Sequence, residues 1–196
     1  LADIACPAAW DIGTGRGVRV AVVDSGVFAQ HSDLKAGVDP TVIQKPTAWS
    51  FVTSIPSNEP AWRSDEPTPY SATTDRAAHG THAAGVIGAR AVWKGSALDS
   101  WGVGVAPDCT LVPIKVLQYA VCTADTVIGG VPYQSGQVAA YGTDIQASAG
   151  ITAAARAGKA QVINVSAVYD GAASLKIAVA AAVEAGALVV AAAGND

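Results

Sequence analysis

Four segments of the chain are apolar on both faces and rich in β-branched residues: Val18 to Val23, Leu111 to Leu117, Gln161 to Val165 and Ala187 to Ala192. A strand with one wet face alternates polar and apolar positions, whereas these do not, so they predict parallel strands buried inside a layered sheet. Between the last three, the period becomes helical. Ile145, Ala149, Thr152, Ala153 and Ala157 follow a Thr143/Gln146 capping box and precede Gly158 as a stop. A second helix is predicted from near Ser174, carrying Leu175, Ala178, Val179 and Ala182 and ending before Gly186. A third opens at His79, where Gly80, Ala83, Ala84, Gly85 and Gly88 leave one face almost bare of side chains and able to press on a sheet. Strand and helix in alternation predict an α/β fold with a mostly parallel central sheet covered by helices in three layers.

Two stretches break this rhythm. Residues 35–78 hold six of the ten prolines together with Trp49 and Trp62, and predict a long irregular excursion that covers something, since tryptophans in a free linker would have nothing to pack on. Residues 118–140, rich in Gly, Tyr and Ser, read as a second insertion. At 196 residues, 51% hydrophobic and 14% charged, the chain can bury one large core, so 1–196 is expected to belong to one domain. The net charge of −4 and the scattered basic residues offer no stripe for nucleic acid, and Glu184, Gly186 and Gly194 interrupt the longest apolar stretch before it could span a membrane. With no methionine anywhere, Leu1 is read as a processed end, as zymogen processing would leave, or as a boundary within a longer chain.

Asp24 follows the first strand and stands where open α/β sheets gather functional groups, beyond a carboxyl end. The run Gly13-Thr14-Gly15-Arg16-Gly17 precedes that strand instead of following it, which excludes a dinucleotide-binding loop. A histidine in the first turn of a helix feels the positive end of the helix dipole, so His79 is expected to be kept a neutral base. His82 lies on roughly the same face, but no third ligand stands nearby in sequence and no metal site is assigned; His31 is placed in a surface turn.

These blocks resemble, in order, the signatures of the subtilisin-like serine proteases, the subtilases of peptidase family S8: Val20 to Val27 around Asp24, His31-Ser32-Asp33-Leu34, His79 to Gly85, Gly104-Val105-Ala106-Pro107, Val162 to Ser166, and Val189 to Asn195. The resemblance implies a serine endopeptidase in which Asp24 orients His79, His79 is the general base and Asn195 donates to the oxyanion. It also implies a cleft between Tyr141-Gly142 and Ser166-Ala167 that takes a polypeptide substrate as an added strand, with Ala192, Ala193 and Gly194 lining the pocket for the residue before the scissile bond. Val168 stands where the family usually has glycine, and is expected to crowd the substrate backbone. The family's nucleophilic serine segment, of Gly-Thr-Ser-Met-Ala type, is not in this sequence. The chain is therefore expected to be the N-terminal portion of the peptidase domain, inactive alone, with the serine supplied by a C-terminal segment or a second chain. A catalytically silent, peptide-binding pseudoprotease and an inert fragment are the remaining readings. No cofactor is required for the chemistry. Asp33 resembles a calcium ligand of several family members, yet 99–103 is shorter and bulkier than their calcium loop, leaving one credible ligand where calcium takes six to eight oxygens.

The expected location is secreted or extracytoplasmic, where Cys6, Cys109 and Cys122 would form disulfides; buried unpaired thiols of a cytosolic enzyme are the alternative reading. A strand between Cys109 and Cys122 would hold them roughly 20 Å apart, too far for the ~7 Å a disulfide allows. The expected pairing is Cys6 with Cys109, leaving Cys122 for a partner chain. Leu188 to Ala193, apolar on both faces and without charge or proline, predicts a final strand whose open edge the serine-bearing remainder would cover.

Overall fold

The computed structural model describes residues 4–55, 61–91, 93–94, 97–98, 102–128, 131–169 and 172–193. Its centre is a four-stranded sheet in the order β11-β10-β1-β5, from β1 (Arg19–Asp24), β5 (Thr110–Lys115), β10 (Val162–Val165) and β11 (Leu188–Ala191). All three pairings are parallel. The short α1 (Cys6–Trp10) precedes β1, and the three long helices lie between these strands in sequence: α3 (His79–Gly88), α4 (Asp144–Arg156) and α5 (Ala173–Glu184).

Alternation along β1 explains the layers, because successive side chains leave a strand on opposite faces. Val20 and Val22 join Leu111, Cys109 and Ala84 in the core under α3. Ala21 and Val23 join Val112, Ile114, Ile163, Ile151, Ala154 and Ala178 in the core under α4 and α5. Full burial of each large aliphatic side chain contributes roughly 1.5–3 kcal/mol, so the two-sided strands are the main source of cohesion. The α4 capping box forms as expected, with Gln146 N–H donating to Thr143 Oγ1 at 3.3 Å and Thr143 N–H donating to Gln146 Oε1 at 2.8 Å.

The 35–78 excursion is more regular than its composition suggests. It contains α2 (Pro40–Gln44), a 3-10 turn (Pro46–Trp49) and β2 (Trp62–Ser64). Bridges from Val38 to Leu111 and from Ser50 to Lys115 lay it along the outer edge of β5, so this edge of the sheet is shielded. Within 118–140 stand β6 (Gln118–Cys122), β7 (Thr126–Ile128) and β8 (Val131–Tyr133), and β9 (Val138–Tyr141) completes the segment. β2, β6 and β9 form an antiparallel sheet whose core holds Trp62, edge-on to Tyr133 with ring centroids 5.1 Å apart. β7 pairs with β8, and the two-residue strands β3 (Trp93–Lys94) and β4 (Ala97–Leu98) pair with each other.

The cysteines correct the sequence expectation: all three are free and buried, and the Cys6–Cys109 disulfide is absent. Each thiol behaves as a small hydrophobic group. Cys109 sits in the α3 core so close to the helix that a Cβ on Gly88 would lie 2.9 Å from its Sγ, and burial pushes its pKa up to about 11. Cys122 lies in the Trp62 core with its Sγ–H donating to the Ala124 carbonyl at 2.9 Å, so it is not presented to a partner chain.

Candidate active site

Parallel strands deliver their carboxyl ends to one rim. Asp24 ends β1 and is in register with Lys115 at the end of β5. Val165 at the end of β10 is in register with Ala191 at the end of β11, and Ala192 N–H continues the ladder to the Val165 carbonyl at 3.1 Å. Val116 N–H donates to the Asp24 carbonyl at 2.8 Å, and Gly142 packs so closely on Val116 that a Cβ there would fall 2.4 Å from the Val116 oxygen. The rim thus runs from Ala192 through Ser166 and Asp24 to Gly142.

Asp24 is fully buried, whereas the His79 side chain is half exposed. His79 Nδ1 lies 2.8 Å from Asp24 Oδ1 and 3.0 Å from Oδ2. An ionised carboxylate only accepts, so Nδ1 carries the proton and Nε2 is left as the ring's basic atom. Ser25 N–H donates to Asp24 Oδ1 at 2.6 Å, which fixes the carboxylate from behind. The Asp24 hydrogen bond raises the His79 pKa above its ordinary 6.5; burial opposes this, and the charges of Asp24 and Asp75 add to the rise. The helix-dipole expectation is corrected accordingly: a carboxylate in direct contact outweighs the partial charge of a helix end.

The start of α3 explains how the pair is held. Its N-cap residue, Ala78, has φ 60° and no capping side chain. Ser25, distant in sequence, and Asp75, three residues before the N-cap, cap it instead. Ser25 Oγ accepts from Gly80 N–H at 3.0 Å and donates to Asp75 Oδ1 at 2.8 Å. Asp75 Oδ2 accepts from both Thr81 N–H at 2.7 Å and Thr81 Oγ1 at 2.6 Å. Gly80 is obligatory here, since a Cβ would fall 2.2 Å from the Gly26 oxygen and 3.0 Å from Asp24 Cβ. The residue after Asp24 therefore caps the helix that carries His79, locking the two side chains together. Sequence reasoning missed Ser25, Asp75 and Thr81; polar residues flanking an uncapped helix start were the available signal.

Behind Asp24 lies a second missed pair. Lys115 and Glu66 are both buried, with Nζ 3.2 Å from Glu66 Oε1, and Nζ also donates to the Ser25 carbonyl. Glu66 Oε2 accepts from Tyr119 N–H at 3.0 Å. Burial pulls the Lys115 pKa below its ordinary 10.5, against the charges of Glu66, Asp75 and Asp24.

The remaining sequence-proposed residues are placed as follows. Tyr141 pairs with Gln118 across β9 and β6 and stacks obliquely on Trp62 at 5.7 Å. Ser166 accepts from Asn164 Nδ2 at 2.9 Å, and Ala167 packs against the core. Val168 is 70% exposed. Ala192 and Ala193 are exposed; Gly194 and Asn195 lie outside the described residues. His31 Nδ1 accepts from Asp33 N–H at 3.3 Å, and His31, Asp33 and His82 line a cavity of about 450 Å³ beside α3. Among the described residues, no group of three His, Cys, Asp or Glu could hold a metal.

The rim of strand ends carries the buried Asp24 and the half-exposed His79, and comparison with known proteins gives the chain a family. The sequence model of the subtilase family matches residues 15–196, and the chain belongs to that family, one of serine proteases. It is 36% identical over 125 residues to the minor extracellular protease Vpr of Bacillus subtilis, covering 63% of this chain and 13% of that protein. It is 34% identical over 136 residues to thermitase of Thermoactinomyces vulgaris, covering 68% of this chain and 39% of that one. The crystal structure of MycP1 with its N-terminal propeptide removed superposes with a TM-score of 0.58 at 28% identity, covering 97% of this chain and 47% of that one. The chain thus spans less than half the length of these relatives.

Proposed function

We propose that this chain is the base-bearing portion of a serine endopeptidase whose nucleophile comes from a segment outside it, C-terminal or on a second chain. The serine Oγ attacks the scissile carbonyl carbon as His79 Nε2 takes its proton. Asp24 holds the ring through Nδ1–H and stabilises the imidazolium, and the side-chain amide of Asn195 donates to the oxyanion. His79 returns the proton to the leaving amine, then activates the water that hydrolyses the acyl-enzyme. The polypeptide lies extended between Tyr141-Gly142 and Ser166-Ala167, with Ala192, Ala193 and Gly194 beside the residue that precedes the scissile bond.

The observation that carries this reading is the 2.8 Å contact of His79 Nδ1 with a fully buried carboxylate at the rim of a subtilase sheet. Secretion belongs to the same reading, supported by an extracellular relative. The full-length protein is expected to cleave unstructured polypeptide and to be labelled by a fluorophosphonate. His79→Ala should lower turnover by about a hundred- to ten-thousandfold. Peptide binding without cleavage or labelling in the full-length protein would replace this reading with that of a peptide-binding module.

A further inference from the structure

A lysine with no exposed surface, at the end of a strand beside the Asp24 strand, is costly unless something needs its charge. Lys115 is paired to Asp24 in strand register, yet its ammonium reaches past Asp24 to the carbonyl of Ser25, the residue whose side chain caps α3. On its other side Glu66 holds it at 3.2 Å, and Glu66 is fixed by the Tyr119 amide of the small sheet that also carries Tyr141. Asp75, from the loop before α3, acts on His79 beside Asp24; Lys115 from β5 lies under the charges of Glu66, Asp75 and Asp24, and the Tyr169 hydroxyl under those of Asp24 and Asp144. Three carboxylates, Asp24, Asp75 and Glu66, converge on this end of the sheet, and Lys115 is the cation set among them.

We propose that Lys115, backed by Glu66, is a positioning residue for the Asp24–His79 pair: it fixes the Asp24-Ser25 strand end and offsets the carboxylates that would otherwise hold His79 in its protonated, non-basic form. This deepens the peptidase reading and rests on it for the role of His79. Lys115 touches no reacting atom; it acts through Ser25 and through its field. Its charge opposes protonation of the imidazole, whereas the charge of Glu66 favours it.

The test follows the His79 imidazole of the full-length protein by NMR through a pH titration, its resonance identified by its loss in His79→Gln. Glu66→Gln leaves the lysine charge without its partner and is expected to move the His79 midpoint down. The double variant Glu66→Gln/Lys115→Met removes both charges, leaves no unpaired ion in the interior, and is expected to move the midpoint up beyond that of the unmodified protein, with the acid limb of kcat/KM following. A purely structural role gives the opposite result in the double variant: loosening the Asp24–His79 contact removes the main cause of the raised pKa, and the midpoint falls. A fall, or no shift, in the double variant overturns the proposal even if Glu66→Gln fails to fold. The titration needs no turnover, so an inactive protein that still shows opposite shifts overturns the peptidase reading alone.

Discussion

Asp24 and His79 are separated by 55 positions, and what joins them is a set of small groups each held by a specific bond. The carboxylate is buried and receives two donors, Ser25 N–H and His79 Nδ1–H, so its position is set independently of solvent. The pH dependence follows from the raised His79 pKa. As a base the imidazole must be neutral, so kcat/KM of the full-length protein is expected to fall with decreasing pH through a midpoint above the ordinary 6.5. For stability the sign is reversed. A group whose pKa is higher in the folded state contributes stability that is fully present below its unfolded value and is lost as pH rises through the folded one. His79→Ala should therefore destabilise the protein more at pH ~5 than at pH ~8, as read from urea midpoints; an equal cost at both would show that the imidazolium gains nothing from Asp24. Asp24 and His79 were legible because each stands at an element boundary that the apolar pattern reveals. Lys115 and Glu66 were not. Lys115 interrupts the apolar run Leu111 to Leu117 as a single charge with no sequence signal of a buried partner, and Glu66 lies in a proline-rich stretch whose path no periodicity predicts.

Helix starts show the same divide between local and distant causes. The α4 start is written within four residues, Thr143 to Gln146, and Gln146 adds a side-chain bond from Nε2 to Thr53 Oγ1 at 3.0 Å. Thr143→Ala is expected to cost about 1 kcal/mol in equilibrium unfolding, with the Asp24–His79 contact unaffected because the cap lies at the start of α4 and not at that pair. The α3 start is only half local: Asp75 lies just before the helix, whereas Ser25 is brought there by the fold. The strands were legible to within a residue or two at each end. The segments called insertions were not, because β2, β6 and β9 pair antiparallel and half-exposed, with short alternations that Gly, Tyr and Ser obscure. The cysteine expectation failed for a related reason: composition suggested a crosslink, whereas Cys109 and Cys122 each sit in a packed core and Cys6 is buried.

At the scale of the whole molecule, the two edges of the central sheet are treated differently. The β5 edge is covered by residues 38–51 of the same chain, through the Val38 and Ser50 bridges and the bond from Phe51 N–H to the Lys115 carbonyl at 2.8 Å. At the other edge β11 pairs only with β10 among the described strands, with Leu188 62% and Val190 46% exposed and Ile177 and Val183 of α5 exposed nearby. An apolar edge without lysine, proline or bulge is a template for another strand. The peptidase reading supplies that strand from the segment that brings the serine, so one surface should behave in opposite ways in two settings. In the 196-residue chain produced alone, Leu188→Lys with Val190→Lys is expected to reduce self-association in light scattering, by placing charge on an open edge. In the full-length protein the same pair should lower stability, by up to roughly 1.5–3 kcal/mol per side chain if both become buried, and reduce peptidase activity with it. If the double variant is equally stable in the full-length protein, the edge is solvent-exposed there too, and the serine segment must reach His79 from another side of the sheet.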